Sequence, residues 1–257
     1  MGAARLMRIR RAAATIAALL FTLAARSEAQ TNLQLWGTLT AVNPVSNRLS
    51  YEFEFEPKVL LARAEGEPGW ASVDFTPTVE YTLSSFVDLV GELATGYTVQ
   101  TDDVNSFELS PRGGVRLHVT PRDVRRGPLS QLGLRHRIVV RNLARFEQRT
   151  LFYTGNVETD AVVRFRNRLE VRLPLNRERI SDDGARYLMA DWEWFIPLDD
   201  PAERFANRQR IRAGFGHQPS ATWRVEALYI WTRSRDTTEE GFTTSDHIIN
   251  LRARRVF

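Results

Sequence analysis

From Leu49 to Glu56 the chain alternates without a break: Leu49, Tyr51, Phe53 and Phe55 fall on one parity, and Ser50, Glu52, Glu54 and Glu56 on the other. The pattern returns at 163–173, where Val163, Phe165, Leu169, Val171 and Leu173 oppose Arg164, Arg166, Arg168, Glu170 and Arg172. At 188–196 Leu188, Ala190, Trp192, Trp194 and Ile196 oppose Met189, Asp191, Glu193 and Phe195, and 223–231 repeats the scheme with Arg224 and Glu226 on the polar side. Positions i and i+2 match and positions i+3 and i+4 do not, so the period is that of a strand. A chain built this way folds as sheet, and each strand presents one apolar and one charged face.

Eleven such segments are expected, near 32–42, 48–58, 70–82, 86–100, 106–120, 135–149, 160–174, 186–197, 203–216, 222–234 and 244–257. Short connections at 43–47, 84–85 and 218–221 alternate with longer polar ones at 62–69, 150–159 and 235–243. That is the arrangement of an up-and-down barrel with turns on the periplasmic rim and loops outside. The stretch 121–134 is long where a turn is expected, and 128–133 reads as one helical turn. Bacterial barrels normally have an even number of strands, so a count of eleven points to two merged strands or to one segment outside the wall. The expected fold is all-β: a single up-and-down antiparallel transmembrane β-barrel of about 10–12 strands. A short echo, Arg164-Phe165-x-Asn167-Arg168 and Arg204-Phe205-x-Asn207-Arg208, opens two strands that should descend from the same rim. Convergence on one rim chemistry explains it more simply than an ancestral repeat.

The N-terminus reads as an export signal. Residues 5–11 are cationic, 12–25 are apolar or small apart from two threonines, and Ser27 and Ala29 occupy the −3 and −1 places of a cut before Gln30. A run of about 14 residues is too short to span ~30 Å of hydrocarbon, so cleavage is expected rather than anchoring. The domain reading is therefore 1–29 signal peptide and 30–257 barrel. The signal also holds the charge excess: it carries five arginines and one acid, leaving 30 basic and 30 acidic residues of the 35 and 31 in the chain. A balanced mature chain is a poor counterion-release machine, so no nucleic-acid partner is expected. Cysteine is absent, which removes disulfides, thiolate metal sites and cysteine nucleophiles.

The polar face is dense in Arg, Glu and Asp, and its sign tends to change between neighbouring strands. Facing inward, such rows form a cross-strand ion-pair lattice in a polar lumen. Its expected members are Glu52, Glu54, Glu56, Asp74 and Glu80 on the acidic side. Arg164, Arg166, Arg168, Glu170, Asp191, Glu193, Arg208, Arg210, Arg212 and Glu226 form the rest. The second and third expected strands are acidic, whereas the sixth and seventh are basic (Arg137, Arg141 and Arg145 with Arg164, Arg166, Arg168 and Arg172). A transverse field and partial closure by long guanidinium stems are expected. Trp223 and Trp231, eight residues apart, match the spacing of two aromatic girdles. Phe257 ends an amphipathic strand with a terminal aromatic, resembling the signal that outer-membrane barrels present to their assembly machinery.

Further residues carry a family resemblance: Glu108 to Arg116 (ELSPRGGVR), Arg164 to Leu173 (RFRNRLEVRL), Asp191 to Pro197 (DWEWFIP), Asn207 to Gly216 (NRQRIRAGFG), Glu226 to Trp231, and the ending from His247. The mature chain resembles a domain-of-unknown-function family of bacterial outer-membrane β-barrel proteins. The resemblance implies a fold and an integral outer-membrane location in a Gram-negative bacterium, and no catalytic residues.

The leading expectation is a non-enzymatic, porin-like barrel with a narrow or ion-pair-plugged lumen, contacting outer-membrane lipid and passing small polar solutes if open. One alternative is an outer-membrane lipid hydrolase: Ser245 and His247 share a face of the last strand, as a nucleophile and base must, with Asp246 pointing the other way. A polar interfacial rim explains that pair more simply. The other alternative is a soluble periplasmic β-rich binding module. His118, His136 and His217 lack metal-ligand spacing, so neither metal nor cofactor is expected. Trp192 and Trp194 read as girdle residues, and Gly113-Gly114 and Gly214-x-Gly216 as bulge or close-approach glycines.

Overall fold

The computed structural model describes residues 30–63, 68–101, 104–120, 138–155, 158–198, 208–234 and 244–257. The expected signal peptide, the helical turn at 128–133, His136, Arg137 and the second copy of the echo up to Asn207 lie outside the described residues.

Eleven strands follow one another: β1 (Gln30–Pro44), β2 (Leu49–Ala62), β3 (Trp70–Thr82), β4 (Val87–Gln100), β5 (Ser106–His118), β6 (Val139–Tyr153), β7 (Asp160–Pro174), β8 (Ala185–Pro197), β9 (Arg208–Ser220), β10 (Trp223–Ser234) and β11 (Thr244–Val256). Each pairs with its sequence neighbours, and β1 closes on β11. The suspicion of merged strands or of a segment outside the wall is therefore corrected: all eleven lie in the wall. The antiparallel expectation is corrected at one seam. With an odd number of strands of alternating direction, the first and last run the same way, and β1 pairs β11 in parallel from Gln30↔Thr244 to Val42↔Val256. Even-numbered residues pair with even-numbered ones there, so the two faces of the sheet continue across the seam.

Three strands run four residues past their expected ends: β2 reaches Ala62, β6 reaches Tyr153 and β9 reaches Ser220, which leaves a two-residue turn before β10. The turns at 45–48 and 83–86 are held by hydroxyls: Ser46 Oγ accepts from the amides of Arg48 and Leu49 at 3.2 and 3.0 Å, and Ser84 Oγ accepts from the Phe86 amide at 3.2 Å. These turns share a rim with Phe257.

The glycines expected to permit close approach divide by face. A Cβ on Gly114 or Gly214 would lie 2.4 or 2.2 Å from the carbonyl oxygens of Ala144 or Ala227, and one on Gly216 would enter the Tyr187 ring at 2.1 Å. Gly113 faces outward with nothing within 4 Å. Inside the barrel, Trp36, Tyr187, Met189, Leu228, Ile230 and Ile248 form the apolar cluster, packed from below by Ile180 of the β7–β8 turn.

Candidate functional site: a charge-lined lumen

Burial alternates along the strands as the sequence does. On β2, Tyr51, Phe53, Phe55 and Val59 are exposed on the outer face, while Glu52, Glu54, Glu56 and Lys58 are half-buried inside. Across all eleven strands, the described outward positions carry only three charged residues, Arg186, Arg233 and Arg255, each at a strand end. The outer polar side chains near mid-height satisfy each other: the amides of Asn142 and Asn167 exchange hydrogen bonds of 2.9 and 3.1 Å. The aromatics expected at the girdles do face outward. Trp192 and Trp194 pack with centroids 4.1 Å apart. Arg255 lies over both Trp223 (5.4 Å) and Phe257 (4.5 Å), which makes its break in the alternation part of the rim.

The inner face holds the lattice. Its hub is Glu147 on β6, 1% exposed, which meets Arg164 at 2.6 Å, Arg166 at 2.5 Å, Arg145 at 3.1 Å and Arg112 at 3.4 Å. A second hub, Glu193 on β8, meets Arg166 at 2.8 Å, Arg212 at 3.1 Å and Arg210 at 3.5 Å. Asp191 takes Arg212 at 2.7 Å, and Glu170 takes Arg172 at 2.9 Å together with Arg141. Glu226 accepts from the Tyr187 hydroxyl at 2.5 Å and lies 3.3 Å from both Arg172 and Arg252. On the acidic side, Glu52 pairs with Arg254 at 3.1 Å, Glu54 with Arg252 at 3.6 Å and Glu56 with Lys58 at 3.0 Å. Asp74 pairs with Lys58, and Glu80 with Arg116. Arg208 reaches Ser234 Oγ at 3.2 Å.

These pairs join strands that are close neighbours around the wall, and those of the acidic side reach no farther than β5 and β11. The guanidinium stems therefore run along the wall, and a cavity of about 1210 Å³ remains. Spread over a height of ~30 Å, and with the ~1.4 Å radius of water added on each side, that volume corresponds to a bore roughly 10 Å across. The bore is off-centre. It follows β2 from Ser50 to Lys58 and β3 from Trp70 to Glu80, but touches only Asp191 and Phe195 of β8, where the apolar cluster and the buried hubs fill the space.

Ser245 and His247 lie on the outer face, both buried (4% and 8% exposed). They share that face as expected, and each has a partner of its own: Trp231 Nε1 donates to Ser245 Oγ at 2.7 Å, and the His247 ring bonds the Tyr229 hydroxyl. Asp246 points into the lumen as expected and accepts from Asn32 at 3.0 Å. His118 pairs with Asp88 at 2.6 Å, and His217 lies 3.1 Å from the Ala185 carbonyl.

A family model matches residues 33–243, nearly the whole wall. The chain belongs to the family described as protein of unknown function (DUF2490). No curated protein and no solved structure matches it. The DUF2490 barrel also contains members that the strand reading passed over. Glu147 lies inside the expected sixth strand and shares its parity with Arg141 and Arg145, so parity alone places it in the lattice. Lys58, Glu92, Glu108 and Arg149 follow from parity in the same way. The inward apolar residues Leu228, Ile230 and Ile248 had no such signal, because both faces of their strands are apolar there.

Proposed function

We propose that this DUF2490 chain is an integral outer-membrane β-barrel of a Gram-negative bacterium, non-enzymatic, whose lumen is a narrow charge-lined passage for small polar solutes. The observation that carries the reading is the inverted amphipathicity: outward positions are free of charge except at strand ends, while the interior holds the ion-pair lattice. A barrel bathed in water has the opposite distribution, whereas lipid tolerates charge only at the interfaces. Export through a signal cleaved before Gln30 and assembly through the strand ending in Phe257 belong to the same proposal.

Extraction and electrophoresis test the location. The protein should remain in the membrane pellet after carbonate or high-salt washing and should migrate differently on denaturing gels before and after boiling. Release by salt alone would overturn the membrane reading and favour the soluble module. The passage is tested in planar bilayers, where wild-type protein should give small, discrete conductance steps. Large, weakly selective steps would refute a narrow bore. The hydrolase alternative is tested with phospholipid vesicles: Ser245→Ala and wild type should behave identically, and hydrolysis abolished by that substitution would refute the non-enzymatic reading.

A further inference from the structure

Along the described parts of β6 and β7 the lattice leaves one arginine without a carboxylate of its own. Among the described residues sixteen cationic and eleven carboxylate side chains line the cavity, with Glu147, Glu193 and Glu226 buried behind the guanidiniums they neutralise. Along β6 and β7, acids and bases face each other in register: Glu147 opposes Arg164, and Arg141 opposes Glu170. Between these two pairs the alternation fails. Arg168 opposes Leu143, which is 3% exposed and offers no acceptor. On its other side Arg168 opposes Glu193, but Arg166, Arg210 and Arg212 already occupy that carboxylate. The remaining carboxylates whose field reaches it, Asp191 and Glu170, are bonded to Arg212 and to Arg141 and Arg172. Among the described arginines of β6 and β7, Arg168 is the one that makes no hydrogen bond, ion pair or ring contact, and it lines the bore at mid-height of β7.

We propose that Arg168 forms an oxyanion site inside the lumen, so that the solutes this barrel takes are small ones bearing a carboxylate or phosphate group. The inference rests on the passage reading for its role in transport, but the site itself is a property of the lumen and is tested separately. A guanidinium fork matches either oxyanion with two parallel hydrogen bonds, which explains why an arginine rather than a lysine stands there. Arg141, Arg145, Arg166 and Arg212 line the same cavity and each already holds a carboxylate, so an anion entering at Arg168 need not displace an existing ion pair. A bore roughly 10 Å across admits one such solute at a time.

The experiment titrates detergent-solubilised barrel with inorganic phosphate and, separately, with acetate against a constant chloride background, followed by calorimetry. Wild-type protein should bind at least one of them, and the tighter of the two names the preferred headgroup. Arg168→Gln should weaken that binding by about tenfold or more, and Arg168→Lys should recover part of it as a point charge without the fork. The heat-modifiable gel shift of each variant shows that it has folded. Absence of binding to wild type, or unchanged binding in Arg168→Gln, would overturn the site. In planar bilayers under a potassium chloride gradient, wild type should be anion-selective and Arg168→Gln less so. Cation selectivity in wild type would overturn the anion preference of the passage, whereas absence of conductance would overturn the passage reading and leave the titration to decide the site.

Discussion

Replacing Glu147 with Gln removes the charge at the centre of four arginines while keeping the side chain's shape. Arg145 retains Glu92, at 2.7 and 2.8 Å, and Arg166 retains Glu193 at 2.8 Å. Arg112 retains a hydrogen bond to Ser110 Oγ at 3.2 Å and longer contacts with Glu92 at 3.6 Å and Glu108 at 3.9 Å, and Arg164 loses its 2.6 Å bond. Breaking a buried pair by removing one partner costs about 3–5 kcal/mol, because the partner's charge stays buried without compensation. Two of the four arginines keep a strong acceptor, so the loss should fall toward the lower end, about 3 kcal/mol. Glu52→Gln is the control. Its pair with Arg254 is a third exposed on each side (33% and 36%), so its removal should cost less than about 1 kcal/mol. Urea unfolding of both variants in lipid vesicles, followed by tryptophan fluorescence and by the unboiled gel band, gives the two numbers. A double-mutant cycle with Arg164→Gln should recover part of the Glu147 loss. Equal stability losses for Glu147→Gln and Glu52→Gln would refute the claim that burial, and not mere pairing, sets the strength of this lattice.

Leu169→Arg puts a charge on the outer face of β7 near mid-height; if that face meets lipid as proposed, it should cost ~2–4 kcal/mol and reduce the folded band, whereas an unaffected band would argue against lipid there. Gly214→Ala should destabilise by about 1–3 kcal/mol because its Cβ meets the Ala227 carbonyl, while Gly113→Ala, with open space around it, should be neutral within roughly 0.5 kcal/mol in the same urea series. The cysteine-free chain permits clean labelling: Glu158→Cys should react with a membrane-impermeant maleimide on intact cells, and Asn47→Cys only after permeabilisation. The reverse pattern would invert the assignment of the rims.

The regularity of the strands made the wall legible in one dimension. A residue's face follows from its parity, so Glu52, Arg166, Asp191 and Arg212 were assigned to the lumen without knowledge of their neighbours, and Phe53 and Trp192 to the outside. The eleven segments were legible for the same reason, since each needs only local alternation and a turn. Strand ends were less so: the expected sixth and ninth strands stop short of Tyr153 and Ser220, and pairing with β5 and β10 carries them there.

Closure required the other strands. Whether an eleventh strand is expelled, merged or paired in parallel depends on the meeting of β1 and β11, residues more than 200 positions apart, and no local pattern encodes that encounter. Partner choice within the lumen is equally non-local, because an arginine's reach spans several strands and the acceptor it takes depends on which others are occupied. Period-two chemistry in the chain therefore settles which residues face inward. Geometry around the ring settles which of them are neutralised, how far the bore is displaced toward β2 and β3, and why Arg168, opposite Leu143 and a saturated Glu193, is left facing the cavity.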